Sequence, residues 1–347
     1  MSPPSSSNAA TTPRDQSRSD SPFHAGERAL QDRVGARERL DKVGRKVIRD
    51  FMPEQHRELF AALPFIVVGS VDRQHRPWAS IVVGTPGFAS APDARTLIVG
   101  ALPISGDPVR EGLVAGAPVG LLGIQLETRR RNRLNGTVVR AGDAGFEVSV
   151  GQSFGNCPQY IHARRPHFAA PASAAASRVE TGKSVLSARA AALVERADTF
   201  FIATAAPAAS DGRAVEGVDV SHRGGKPGFV RVTKEDGCSV LTSPDFAGNS
   251  FFNTFGNLVL DPRAAIVFVN FDSGDLLSLT GEADVIWGGP EVEAFVGAQR
   301  LLRFKVRSSV WIENAVALRW SQPEPAPQLA ATGSWDQAAR SARSLIE

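Results

Sequence analysis

Four arginines crowd into the five residues Arg129-Arg130-Arg131-Asn132-Arg133 of a chain whose charges are otherwise well mixed. Guanidinium groups present paired, planar donors suited to phosphate or carboxylate. The run therefore reads either as an anion-binding element, chiefly through Arg129, Arg131 and Arg133, or as a solvated strand end. Ser221, His222 and Arg223 form a second group of donors, read as a hairpin turn in which the histidine is exposed and no catalytic base. Gly248-Asn249-Ser250-Phe251-Phe252-Asn253 reads as a helix start, with Asn249 as its cap and free backbone amides that attract an anion. Phe246, Phe251, Phe252 and Phe255 could wall a planar ring, although their helical spacing suits a core equally well. Cys157 is either a reactive thiol or a small buried hydrophobe, and Cys238, in a turn, has no functional case.

Several chemistries are excluded. With two cysteines the chain builds neither a disulfide framework nor a four-thiolate metal site. It has no Walker loop, no His-x-x-His pair and no usable Ser/His/Asp order, so nucleotidase, metalloenzyme and hydrolase readings lack support. The 39 Lys and Arg are balanced by 36 Asp and Glu, a net charge of +3 that calls for no nucleic acid partner. No apolar run approaches the roughly 20 residues of a membrane-spanning helix. Residues 1–20, rich in Ser, Pro and Asn, read as a disordered tail without a signal-peptide core, and a cytoplasmic location is expected.

The elements that must position these residues follow from the hydrophobic period. In 347 residues, 42% of them hydrophobic, two cored units are expected. Leu30, Val34, Leu40, Val43, Val47, Ile48 and Phe51 recur at helical spacing, Pro53 ends that helix, and Glu54 to Leu63 forms a second, so residues 21–63 make a helical arm. From Phe65 the period changes: Phe65–Val71, a turn at Asp72–Pro77 and Trp78–Val83 make a hairpin, and four further short strands complete an antiparallel unit at 64–165. An Ala/Pro/Ser-rich connector spans 166–186, a helix covers about Ser187–Ala197, and strands return through 321 before a polar tail at 322–347.

The second half repeats the first. Phe65–Val68 aligns with Phe200–Ala203, the turn Asp72–Pro77 with Asp219–Pro227, and Gly106-Asp107-Pro108 with Gly248-Asn249-Ser250. Ala117–Ile124 aligns with Pro262–Val269 and Leu134–Val138 with Leu279–Ala283. The interval from Gly106 to Gly136 is 30 residues and that from Gly248 to Gly281 is 33, which marks a duplicated unit and two barrels packed as a pseudo-dimer.

The stretch Gly217–Val232, followed by Ser243–Ser250, Gly256-Asn257-Leu258 and Asp261-Pro262-Arg263-Ala264, resembles the pyridoxamine 5'-phosphate oxidase-like flavoproteins. Residues 195–290 carry the resemblance, and through the repeat it extends to 62–150. Gln152–Ile161 is similar to a signature of the two-barrel branch of that family. The resemblance implies a mainly β fold with flanking helices (α+β), tandem split β-barrels with FMN where the halves meet, and oxidoreductase activity. Its alternative is a flavin-binding or cofactor-free interaction module. It also implies that Val230, Arg231, Val232 and Thr233 on one strand, Thr242 and Ser243 after it, and Asn249 and Ser250 in the next loop hold FMN. The chain departs from the family where Thr233, Ser250 and Phe251 replace cations. The phosphate is then expected at the Gly248–Ser250 helix start and the Ser221–Arg223 turn, with arginines of the other half in support. Expected partners are a small-molecule substrate or electron donor, with a homodimer left open.

Overall fold

The computed structural model of the chain describes residues 21–169, 177–207 and 216–343. The expected tail at 1–20, the middle of the connector and the last four residues lie outside the described residues. The arm comprises α1 (Ala25–Arg33), α2 (Arg37–Val47) and α3 (Glu54–Ala62). The first break comes earlier than Pro53, because Gly35 takes a left-handed φ of 65° that ends α1. Of the expected apolar face, Leu30 and Leu40 are buried, whereas Val34, Val43 and Phe51 are exposed. Beside Leu30, α1 and its cap bury polar side chains: His24, Glu27 and Gln31.

The molecule is mainly β with few helices, and its sheets are antiparallel. Strands β1 (Phe65–Val71), β2 (Pro77–Val83), β3 (Ala89–Asp93), β4 (Thr96–Val99), β5 (Pro118–Gln125), β6 (Arg130–Gly142) and β7 (Gly145–Gly155) form one sheet in the order β2-β1-β5-β6-β7-β4-β3. Strand β3 escaped the sequence reading because Ala-Ser-Ala-Pro-Asp carries no β-branched or aromatic residue. Next come the short strands β8 (Pro166–Phe168) and β9 (Val179–Gly182) and the helix α4 (Ala188–Arg196), capped by Ser187. The second sheet holds β10 (Thr199–Ala205), β11 (Val218–Gly224), β12 (Arg231–Glu235), β13 (Cys238–Asp245), β14 (Arg263–Val269), β15 (Leu276–Ile286) and β16 (Arg300–Ile312). Its order is β11-β10-β14-β15-β16-β13-β12, the order of the first sheet element for element, with β9 added beside β16.

The register agrees at equal detail. Leu121 pairs with Leu134 and Val119 with Gly136, as Ile266 pairs with Leu279 and Ala264 with Gly281. A register shift falls just before Gly136 and just before Gly281. At each a Cβ would stand 2.1 Å from a carbonyl oxygen of the next strand, so the bulge admits only glycine. The sequence alignment was one residue out at the first strand, since Val68 pairs with Leu121 and Ile202 with Ile266, which matches Val68 to Ile202 rather than Ala203. Both strands are buried on both faces nearly throughout, so no apolar alternation was present to fix the register. The turn alignment was also wrong: β11 begins at Val218, so Asp219 to Gly224 are strand and not turn.

Each sheet wraps its own core, and a third cluster joins them: Phe65, Val67, Leu122 and Ile124 of the first sheet against Phe201, Ala203, Val220 and Val267 of the second. After β17 (Leu318–Trp320) the C-terminal segment is not merely a polar tail. Helix α7 (Trp335–Arg343) packs Ala338 and Trp335 onto Phe246 and Phe295, close to α6 (Pro290–Ala294), and α5 (Asn253–Leu260) lies against α1. That last contact is close because two glycines meet in it: a Cβ on Gly26 would stand 2.1 Å from the Gly256 carbonyl oxygen.

Candidate functional site

Where the start of β6 meets β11 a cavity of about 120 Å³ opens, closed on its far side by the end of β13, the 246–252 loop, the start of α5 and the first residue of β16. Strand alternation turns Arg131 and Arg133 to this side of β6. Arg133 donates to Asp219 at 2.8 Å and to the Ser221 hydroxyl, both on β11, so the first half is ionically bonded to the second. Asp219 also accepts from Asn135 at 2.7 Å and from Asn257 of α5 at 2.9 Å. Arg131 donates to the Cys157 carbonyl at 2.8 Å and to the His222 carbonyl at 3.4 Å, and among the described residues it has no carboxylate partner.

Opposite these, Asp245 stands 3.1 Å from Arg223 and 3.3 Å from Arg300. The Arg223 guanidinium lies over the Phe255 ring, and Arg300 lies over Phe252 and Trp287. Burial holds the Arg131 guanidinium down to about 9, with help from the Arg223 charge; it remains protonated at neutral pH. Burial, then Arg131, keeps His222 well below its ordinary value, so the imidazole is neutral. Desolvation raises Asp245, against the pull of Arg223 and Arg300.

Among the described residues the buried Nε atoms of Arg133 and Arg223, Nε and Nη1 of Arg300 and Nε2 of His222 have no hydrogen-bond partner. Arg300 is 5% exposed. Unsatisfied buried donors are costly, and these belong to side chains that line one cavity, an arrangement that suits an anion with several acceptor oxygens.

The structure gathers Arg131, Arg133, Ser221, His222, Arg223, Asn249 and Ser250 around this cavity. Ser221, His222 and Arg223 sit on β11, with His222 4% exposed, and not in an exposed turn. Asn249 caps no helix: its side chain accepts from Phe251 N at 3.1 Å, and α5 starts after Phe252, whose φ is 64°. Arg129 points away from the cavity, donating to the Ile161 carbonyl and pairing with Glu324. Val230, Arg231, Val232, Thr233, Thr242 and Ser243 do not line it. Val230 is core, Val232 packs against it, and Arg231 pairs with Glu291 beneath Trp335. Phe246, Phe252 and Phe255 line the cavity, whereas Phe251 packs with Phe23 and Phe154. Cys157 lines it as well, half-buried and unbridged.

Sequence reasoning missed Arg300 and Asp245. Arg300 arrives from a strand 50 positions beyond Ser250, and its one signal is a cation immediately before the buried pair Leu301-Leu302. Also missed was the arm's part behind the site. Glu27 accepts from the Asn253 side chain and the His24 backbone, and His24 meets Asn257 at 2.8 Å. Burial, then the Asp219 charge, raises Glu27 well above the usual carboxylate range.

No family model and no curated protein matches the chain. Among solved structures, HupZ of Group A Streptococcus is 13% identical, with a TM-score of 0.26 over 35% of this chain and 90% of its own. HutZ, the heme storage protein of Vibrio cholerae, is 12% identical, with a TM-score of 0.23 over 35% of this chain and 90% of its own. A FAD-binding protein of Mesorhizobium loti is 14% identical, with a TM-score of 0.23 over 39% of this chain and 97% of its own. Likeness at this level decides neither fold family nor function. Among the described residues no helix is long and apolar enough to cross a membrane.

Proposed function

We propose that the chain is an FMN-dependent flavoprotein oxidoreductase of the pyridoxamine 5'-phosphate oxidase-like type, acting on a small molecule. Its two sheets are read as tandem split β-barrels in an intrachain pseudo-dimer, a reading supported by their shared strand order and glycine bulge. The observation that carries the functional reading is the convergence of Arg131, Arg223 and Arg300, the last two with unpartnered donors, on one cavity at the junction of the halves. These arginines would hold the phosphate, with Asn249 and Ser250 beside it, and Tyr160 and Phe246 are aromatic side chains that line the same cavity. FMN when bound supplies two-electron chemistry, while the protein supplies position and electrostatics. His222, neutral and with Nε2 unpartnered, offers a hydrogen-bonding atom rather than a charge.

The register also bears on stoichiometry. By the strand pairing, Leu276 and Ser278 occupy in the second half the places of Arg131 and Arg133, and Ile81 and Val82 occupy those of His222 and Arg223. The equivalent junction has therefore lost its cations, and one cofactor per chain is expected. The small volume favours a second reading. About 120 Å³ is less than the roughly 300–1,000 Å³ of ordinary ligand pockets, which suits a non-catalytic module that takes a small phosphorylated ligand. Absorbance and titration separate the two: the flavoprotein is yellow and binds FMN one to one, and the module is colourless and binds phosphate compounds without preference for the flavin.

A further inference from the structure

Asp245 is the one carboxylate lining the cavity among the described residues, and it lies between two cations without being fully engaged by either. Its approach to Arg300 Nε is 3.3 Å, yet that nitrogen has no hydrogen bond, so the pair is ionic contact without the alignment that makes such bonds strong. Arg223 Nε and Arg300 Nη1 are buried and unpartnered beside it. The loop that follows Asp245 brings Ser250 and Phe252, both at positive φ, to the same cavity, so β13 ends where an incoming anion would lie.

The cavity's charge fixes what that anion is. Arg133 is matched by Asp219, and Asp245 offsets one of Arg131, Arg223 and Arg300. An excess of two positive charges remains, with His222 neutral. A phosphomonoester dianion cancels it, whereas a monoanion leaves a buried charge uncompensated.

We propose that Asp245 is a displaceable internal counter-ion that shares Arg223 and Arg300 with the ligand's phosphate and sets the site's preference for a dianion. This rests on reading the cavity as the site of an anionic cofactor. Asp245 acts through the arginines and is a specificity-determining residue, not a catalytic one. When a phosphate binds, its oxygens take up the idle N–H groups of Arg223 and Arg300 and weaken their hold on Asp245. The carboxylate therefore lowers affinity, opposing the phosphate while holding the arginines in place.

The test is titration of the full chain and of Asp245→Asn with FMN, riboflavin, inorganic phosphate and sulfate, at constant ionic strength. Removing the competing charge should tighten FMN, phosphate and sulfate by roughly tenfold or more and leave riboflavin unchanged. Asp245→Glu, which restores the charge, should return affinity toward the parent and guards against a folding defect in the Asn variant. The heat-denaturation midpoint should also rise more with saturating sulfate in Asp245→Asn than in the parent.

Sulfate stays dianionic across the working range, so its pH dependence reports on the protein. The groups facing Asp245 and the cavity are Arg131, Arg133, Arg223, Arg300, His222, Cys157 and Tyr160, with Asp219 and Glu27 behind them. Parent affinity for sulfate should rise as pH falls and Asp245 is neutralised, and the rise should be smaller in Asp245→Asn, where only the remaining groups titrate. If the parent binds FMN but Asp245→Asn binds it equally or more weakly, Asp245 orients the arginines or is idle, and the proposal is wrong while the cofactor site stands. If the parent binds none of the four probes, both fall together.

Discussion

The ion pair between Arg133 and Asp219 links the two halves behind the cavity, and its removal gives a quantitative check on the junction. The two side chains are 4% and 9% exposed, so solvent screens the pair little and a surface-bridge value does not apply. Among the described residues Asp219 accepts three hydrogen bonds, from Arg133, Asn135 and Asn257. Arg133→Met leaves that carboxylate without its cation, and Asp219→Leu leaves a buried guanidinium without its anion. Breaking one side of a buried pair costs about 3–5 kcal/mol, because the surviving charge is uncompensated. At about 2–4 °C per kcal/mol for a unit of this size, each single variant should melt roughly 6–20 °C lower. The double variant removes both charges and should recover a substantial part of that loss, a coupling of about 1.5–3 kcal/mol. Denaturant unfolding followed by circular dichroism measures all four proteins. If the double variant's loss equals the sum of the singles, or each single loses less than about 1 kcal/mol, the pair is solvated and the halves are not sealed there.

Arg131→Ala should weaken FMN binding by roughly ten- to a hundredfold, the value of one charge-assisted contact, while Arg129→Ala leaves it unchanged; fluorescence titration reads both. Gly136→Ala drives a Cβ toward the Ser149 carbonyl oxygen and should cost about 1–3 kcal/mol in denaturant unfolding, with Gly281→Ala doing the same to the second sheet. Asp107, buried under β1 and β2, is pushed up to about 6 by desolvation, against hydrogen bonds from Ser80 and Val109. Its folded value lies above the unfolded one, so its contribution is complete below about pH 4 and lost as pH rises through about 6. That contribution is about 3 kcal/mol, and Asp107→Asn should flatten the parent's decline in denaturant stability over that window.

Much of the fold was legible where strands alternate or end in punctuation. The hairpin Phe65 to Val83 and the matched strands around Leu134 and Leu279 were read correctly because β-formers run between clear turns. Ser221 to Arg223 went astray because Ser-His-Arg-Gly-Gly-Lys-Pro has the composition of a turn, while β11 runs on to Gly224. Polar residues in the middle of a buried strand break the local rule, as is expected of a strand edge that lines a cavity. The arm's buried stripe of His24, Glu27 and Gln31 was equally hidden, since its partners Asn257, Asn253 and Phe251, on α5 and just before it, lie more than 200 residues away. Of the candidate site, the Arg131 and Arg133 pair was visible as a local excess of charge. Asp245 and Arg300 were not, since their meaning arises only when β13 and β16 pair at that position.

The most direct test of the account is the stoichiometric titration of the full chain with FMN, followed by flavin absorbance and fluorescence quenching. The account predicts saturation at one FMN per chain, weakened by salt as befits a phosphate held by arginines, with riboflavin far weaker. Saturation at two per chain would contradict the loss of the second junction, and no FMN binding in either probe would contradict the central claim.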